Sequence, residues 1–210
     1  MKLLHQTHSP YARKALVFAH EAGLADRIAV LHCETSPTVK NAEVFAQNPL
    51  GKVPVLLRDD GPALFDSDVI CAYLDTLHSN RPLIPAEGEA RWRALQIQAV
   101  AQGLADSGIA LRWETGRRPE HLRYPPLADG YTLKLMETYD WLELAWTPSE
   151  DIDVGQIALA TALDWLVFRD LPDFRPGHPK LATWFEAFAD RASMRATPLF
   201  GETQDAPPPT

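Results

Sequence analysis

Cysteine is scarce. Cys33 and Cys71 are the two in 210 residues, 38 positions apart and in no CxxC or CxxxH arrangement, so neither a disulfide framework nor a zinc site is signalled. Both read as ordinary buried thiols. Basic charge is short as well: 20 Lys and Arg stand against 28 Asp and Glu, a formal −8. Such a chain repels phosphate backbones, which argues against nucleic acid as a main partner. No stretch approaches the roughly 20 apolar residues of a membrane span, and the apolar run within residues 1–6 is too short for a signal peptide. A cytoplasmic protein with no membrane partner is expected. There is no Gly-x-Ser-x-Gly elbow and no placed acid, so His5 and His8 beside Ser9 make a poor serine hydrolase. Internal repeats are lacking too.

What remains is an ordinary globular composition, 46% apolar and 23% charged, in a chain long enough for one large domain or two small ones. Residues 2–5 and 28–32 are short apolar runs of strand length. Between them Ala12, Ala15, Leu16, Ala19 and Ala22 recur at helical spacing and stop at Gly23. Strand, helix, strand implies parallel pairing with a right-handed crossover. A short helix is expected over 37–47. Runs at 53–57 and 62–65 then flank Asp60-Gly61, a hairpin signal, and a helix over 67–77 closes a βαβαββα unit, residues 1–78. Residues 79–88, with Pro82, Pro85 and Gly88, read as a linker. Apolar stripes over 89–115, 127–146, 154–169 and 179–192 predict an all-helical domain, residues 89–200. The third stripe is apolar on every side and belongs at the bundle centre, with Asp153 and Gln156 as a capping-box variant. Residues 201–210, ending Ala206-Pro207-Pro208-Pro209-Thr210, are expected to be a disordered tail.

Three polar devices stand at three element starts. Ser9 precedes Pro10, which suits a first helical turn; the bland reading is a plain N-cap. In a βαβ unit, however, the crossover helix starts at the carboxyl end of the first strand, where ligands of open α/β sheets sit. A hydroxyl there, with the helix N-terminus, can stabilise an anion such as a thiolate. Lowering a thiol pKa from about 8.5 by about two units needs roughly 2.7 kcal/mol. A helix N-terminus supplies about 0.3 to 2 kcal/mol and a hydrogen bond to a charged group about 1.5 to 3, so no metal is required. Pro54 heads a run that otherwise reads as a buried strand, although proline gives no N–H to a ladder. A cis Val53-Pro54 bond would turn the preceding backbone groups toward a neighbour. Asp66-Ser67 is an N-cap pair that can also take an ammonium on Asp66 and a carboxylate on Ser67 and the amides after it.

Ser9-Pro10-Tyr11-Ala12 resembles a glutaredoxin Cys-Pro-Tyr-Cys with both cysteines replaced. Residues 48–56, Asn-Pro-Leu-Gly-Lys-Val-Pro-Val-Leu, followed by Phe65-Asp66-Ser67, resemble the soluble glutathione transferases. Residues 153–158 stand where that family has its Ser/Thr-x-x-Asp box. The resemblance spans the chain and is to bacterial members with a serine- or cysteine-type site. It implies a thioredoxin-like α/β N-terminal domain followed by an all-α helical bundle, and glutathione as co-substrate with no metal. Ser9 would activate the thiol, Val53 would pair main chain with the cysteinyl unit beside a cis Pro54, and Asp66 and Ser67 would hold the γ-glutamyl end. Lys52 and Lys40 would screen the glycyl carboxylate, with Thr7 as a backup hydroxyl and His8 as a partial positive charge near the sulfur. Tyr11, Asp106, Arg112 and Trp113 are candidates for an electrophile pocket between the domains, and the resemblance further implies a homodimer. The implied reaction is attack of the glutathione thiolate on a small electrophile, in the manner of a detoxification transferase. Two rivals keep the fold: a non-catalytic partner-binding protein similar to the stringent starvation protein, and a glutathione-dependent thiol-disulfide reductase, which would want a cysteine in place of Ser9.

Overall fold

The computed structural model describes residues 1–205; the proline run at the end of the expected tail, residues 206–210, lies outside them. The chain divides into two compact units. One comprises Met1–Ala86 together with residues 192–205, and the other Glu87–Arg191.

The first unit is built on a four-stranded sheet in the order β2-β1-β3-β4. Strand β1 (Lys2–His5) leads through helix α1 (Pro10–Glu21) to β2 (Ala29–His32), which pairs with β1 in parallel, as the βαβ pattern requires. After a short α2 (Ala42–Gln47), the hairpin β3 (Val55–Leu57) and β4 (Leu64–Phe65) adds two antiparallel strands to the other side of β1, and α3 (Ser67–Leu74) closes the unit. The element order is the thioredoxin-like βαβαββα read from the sequence. Several elements are shorter than expected. Strand β3 starts at Val55 rather than Val53 because Pro54 has no N–H to offer, and the Val53-Pro54 bond is cis. Helix α2 starts only at Ala42, where the Asn41 side chain accepts from the Glu43 and Val44 amides. The expected linker is tethered at its middle, since both carboxylate oxygens of Asp75 accept amide hydrogens from Leu83 and Ile84.

Residues 192–205 correct the expected boundary at residue 200. Helix α8 (Ala192–Arg195) packs along α1. The buried Arg13 donates to the Met194 carbonyl at 3.4 Å and to the Thr197 hydroxyl at 3.5 Å, and Ser193 donates to Glu21. A buried guanidinium needs acceptors, and these come from the far end of the chain. Residues 201–205 are placed as well, with Asp205 accepting from Ser36.

The second unit contains α4 (Gly88–Arg112), a π turn at Trp113–Arg117, α5 (Pro125–Ala145), α6 (Val154–Phe168) and α7 (Pro179–Ala189). Twelve of the fifteen α6 residues are buried, so this helix is the centre of its unit, as its all-round apolarity predicts. Asp153 caps α6 through the Gln156 amide at 2.9 Å. The Gln156 side chain does not return the bond; it donates to Ser149 and to the Asp151 carbonyl. Helices α4 and α6 pack closely at Gly155, where an added Cβ would lie 2.5 Å from the Ala94 carbonyl oxygen.

The close approach at Gly155 and the burial of His5 each predict a change in stability. Gly155→Ala forces α6 away from the α4 backbone and should destabilise by about 1–3 kcal/mol. Gly103→Ala, in α4 with nothing within 4 Å of the new methyl, should stabilise by about 1 kcal/mol; urea midpoints of the two variants decide. The second concerns His5, whose imidazole is buried with Nε2 lacking a hydrogen-bond partner. Burial, reinforced by His32 and His8, lowers its pKa from 6.5 to about 4. The unfolded chain therefore takes up a proton below about pH 6.5 that the folded chain refuses until about 4. Stability is full above pH 6.5 and should fall by up to about 3 kcal/mol as pH drops through that window, at ~1.36 kcal/mol per unit; His5→Asn should flatten the profile of unfolding free energy against pH.

Candidate functional site

Strand register brings the three polar devices to one end of the sheet. Leu4 faces Val55, so one step further the end of β1 meets Pro54. Val55 faces Phe65, so one step further Pro54 meets Asp66. Strand β2, parallel to β1, ends at the same edge, with His5 opposite His32. The segments carrying Ser9, Val53-Pro54 and Asp66-Ser67 thus converge where β1, β2 and β4 end and β3 begins.

Ser9 is the N-cap of α1, and its Oγ accepts from the Ala12 amide at 3.2 Å. The cap reading is therefore correct, yet the bond uses only acceptor capacity. The hydroxyl proton has no partner among the described residues, so Ser9 can cap the helix and donate to an anion at once. Val53 is buried in a cluster with Leu4, Ala12, Cys33, Val44 and Val55. Its backbone N–H and C=O make no hydrogen bond to the described residues. The loop before it is fixed by Asn48, whose amide donates to the Lys52 carbonyl at 2.8 Å and whose Oδ1 accepts from Leu50 at 3.0 Å. Gly51 there has φ +63°, and a Cβ would strike the Phe45 ring at 2.3 Å, so only glycine fits.

Asp66 caps α3 through the Asp68 amide at 2.7 Å and does so with φ +72°. A non-glycine residue rarely adopts that conformation, and such outliers concentrate at functional sites. Ser67 is 2% exposed, and its hydroxyl makes no bond within the described residues. The Lys52 and Lys40 side chains are exposed, Lys40 lying over the Phe45 ring.

Two expected helpers are engaged elsewhere. The Thr7 hydroxyl donates to the Phe200 carbonyl at 2.9 Å, and the Phe200 amide donates to the Thr7 carbonyl at 3.3 Å, so Thr7 is not a spare thiol donor. His8 is buried with Nε2 3.5 Å from the Glu34 carboxylate. Glu34 also accepts from Gln6 at 2.9 Å and lies 3.4 Å from His32. Neither Glu34 nor the segment 200–205, which runs from Thr7 to the β2–α2 loop, was singled out by the sequence; no local pattern announces contacts that span 193 positions.

The electrophile candidates divide between the units. Tyr11 lies in the first turn of α1, half-buried. Asp106, Arg112 and Trp113 belong to the helical unit. Asp106 is exposed on α4 and accepts from Gln102 at 3.5 Å. Arg112 ends α4, and Trp113 opens the π turn with Arg117 stacked over its ring at 5.1 Å. The π turn is anchored by the buried Glu114, which accepts from Arg118 at 2.7 Å and from the Tyr124 amide. The Tyr124 amide first, and Arg118 with it, hold that carboxyl below its ordinary range. Among the described residues no His, Cys, Asp and Glu group is arranged to hold a metal ion, and no helix is long and apolar enough to cross a membrane.

Both cysteines are buried and free. Burial pushes the Cys71 thiol up to about 12 and raises that of Cys33, so neither offers a thiolate at neutral pH. A thiol titration with an aromatic disulfide at pH 7 should therefore be slow in the native protein and should count two thiols at once in denaturant.

Residues 8–77 match the family model described as "Glutathione S-transferase, N-terminal domain". The uncharacterized GST-like protein YibF of Escherichia coli K12 is 28% identical over 204 residues, covering 94% of this chain and 98% of that one. A glutathione transferase family member from Pseudomonas fluorescens Pf-5, solved with bound glutathione, is 38% identical with a TM-score of 0.88, covering 94% of this chain and 98% of its own. A second structure of a family member from that strain holds S-(propanoic acid)-glutathione, with the same identity and coverage and a TM-score of 0.85. With a thioredoxin-like unit, a helical unit and this degree of likeness over nearly the whole length, the chain belongs to the soluble glutathione transferase family.

Proposed function

We propose that the chain is a glutathione transferase that activates the thiol of glutathione and transfers it to a small electrophile. The observation that carries this reading is Ser9, a buried N-cap whose Oγ accepts from Ala12 while its proton stays available. Around it, the Val53 backbone offers an N–H and a C=O to the cysteinyl unit. Asp66 offers a carboxylate to the γ-glutamyl ammonium, Ser67 and the α3 amides offer donors to its carboxylate, and Lys52 screens the glycyl end. The Ser9 hydroxyl and the N-terminus of α1 stabilise the thiolate as glutathione binds, the thiol proton leaves to solvent, and the sulfur attacks. The adduct held by the Pseudomonas relative, glutathione with propanoic acid on its sulfur, supports conjugation rather than disulfide exchange. Tyr11, Asp106, Arg112 and Trp113 remain candidates for the electrophile side. A homodimer belongs to the same proposal, as do a cytoplasmic location and detoxification as the role.

Calorimetric titration with glutathione near pH 7, in two buffers of different ionisation enthalpy, tests this. Binding with proton release, and loss of most of that release in Ser9→Ala, is the expected outcome. No binding at millimolar glutathione would overturn the assignment and favour a fold kept for a protein partner. Disulfide reductase activity in the wild type would replace transfer with thiol exchange.

A further inference from the structure

We infer that Lys14 is a positioning residue for the γ-glutamyl end of glutathione, acting through its ion pair with Asp68; this rests on the proposed glutathione site. Lys14 lies on α1, five residues after the Ser9 cap, and is only 3% exposed. An ammonium is not buried without a partner. Its partner, the Asp68 carboxylate, is itself partly open to solvent and stands in the first turn of α3. The pair therefore ties the helix capped by Ser9 to the helix that begins at Ser67, across the packed α1–α3 face.

What the tie holds is the unusual part of the site. The Asp68 amide donates to the Asp66 carboxylate at 2.7 Å, and Asp66 keeps φ +72°. A residue outside the ordinary backbone regions persists only where its surroundings over-determine it. Asp68 supplies that constraint twice, through its amide to Asp66 and through its side chain to Lys14. With Asp68 fixed, the Asp66 carboxylate and the unpartnered Ser67 hydroxyl keep a set distance from α1, where the sulfur is held. With Asp68 released, α3 keeps its own hydrogen bonds, but its first turn loses its anchor to α1. The thiol end of the ligand, held by Ser9 and Val53, is untouched by this.

That asymmetry gives the test. Glutathione and cysteinylglycine, which lacks the γ-glutamyl group, are titrated into the wild type, Lys14→Met, Asp68→Asn and the double variant. Each single change should weaken glutathione binding on the order of tenfold and leave cysteinylglycine within about twofold, and the double variant should be no worse than either single one. Lys14→Arg, which keeps the charge, should recover most of the loss. Equal weakening of both ligands, or additive losses in the double variant, would mean a merely structural pair and overturn the inference while leaving the glutathione site standing. Asp68→Asn, at a partly exposed position, guards against a Lys14→Met variant that fails to fold; unchanged glutathione affinity in Asp68→Asn overturns the inference by itself. Failure of the wild type to bind glutathione would overturn the site reading, and this inference with it.

Discussion

The direction of β1 governs this molecule. A buried central strand with a parallel neighbour on one side and an antiparallel neighbour on the other sends chain ends to the same edge: its own, that of β2, and the start of β3. The β3–β4 hairpin returns Asp66 to that edge as well. Everything that makes a candidate site follows from this arrangement. Leu3 and Leu4 on β1, and Val55 and Leu56 on β3, are fully or almost fully buried; neighbours along a strand point to opposite faces, so the sheet is packed on both and a register slip by one residue would disrupt both packings at once. The apolar core thus fixes the placement of polar groups that contribute little to it.

The polar groups at that edge are held by bonds that leave a second function free. Ser9 accepts from Ala12 and keeps its proton. Asp66 accepts from Asp68 with one oxygen and is otherwise exposed. Asn48 spends both ends of its amide on the Leu50 and Lys52 backbone, so the loop before Val53 needs no contact from Val53 itself. In each case the stabilising role and the proposed binding role are compatible because they use different atoms. The plain capping reading and the functional reading were never exclusive alternatives. The opposite holds for Thr7, whose single proton is committed to Phe200.

Charge is handled with similar economy. Two buried cations on α1, Arg13 and Lys14, reach different partners: Arg13 the C-terminal α8 and Lys14 the start of α3. The first explains why residues 192–205 belong with the sheet rather than with the helices that precede them. His5, by contrast, is buried without charge, and its cost appears only in acid. The two thiols are removed from chemistry chiefly by burial, so the protein presents no thiolate of its own at neutral pH.

The sequence by itself determined the two-part architecture, the element order, the break in the ladder at Pro54 and the caps at Ser9 and Asp66; the cis form of the Val53-Pro54 bond was left open by the residues and implied by the family resemblance. These are local matters: periodicity of apolar residues, the missing proline N–H and side chains that bond to amides two or three residues away. It also determined that α6 is central, because no polar face is left for solvent. Element ends were less legible. The 37–47 helix shortened to begin after Asn41, and the last stripe broke at residues 190–191, since tertiary packing and capping decide where a marginal turn stops. The fate of the C-terminal residues, the engagement of Thr7 and His8, and the pairing of Lys14 with Asp68 were decided only by the tertiary structure. Each depends on which atoms meet across tens to nearly two hundred positions of chain, and a one-dimensional pattern carries no information on which of several acceptors a buried donor will find.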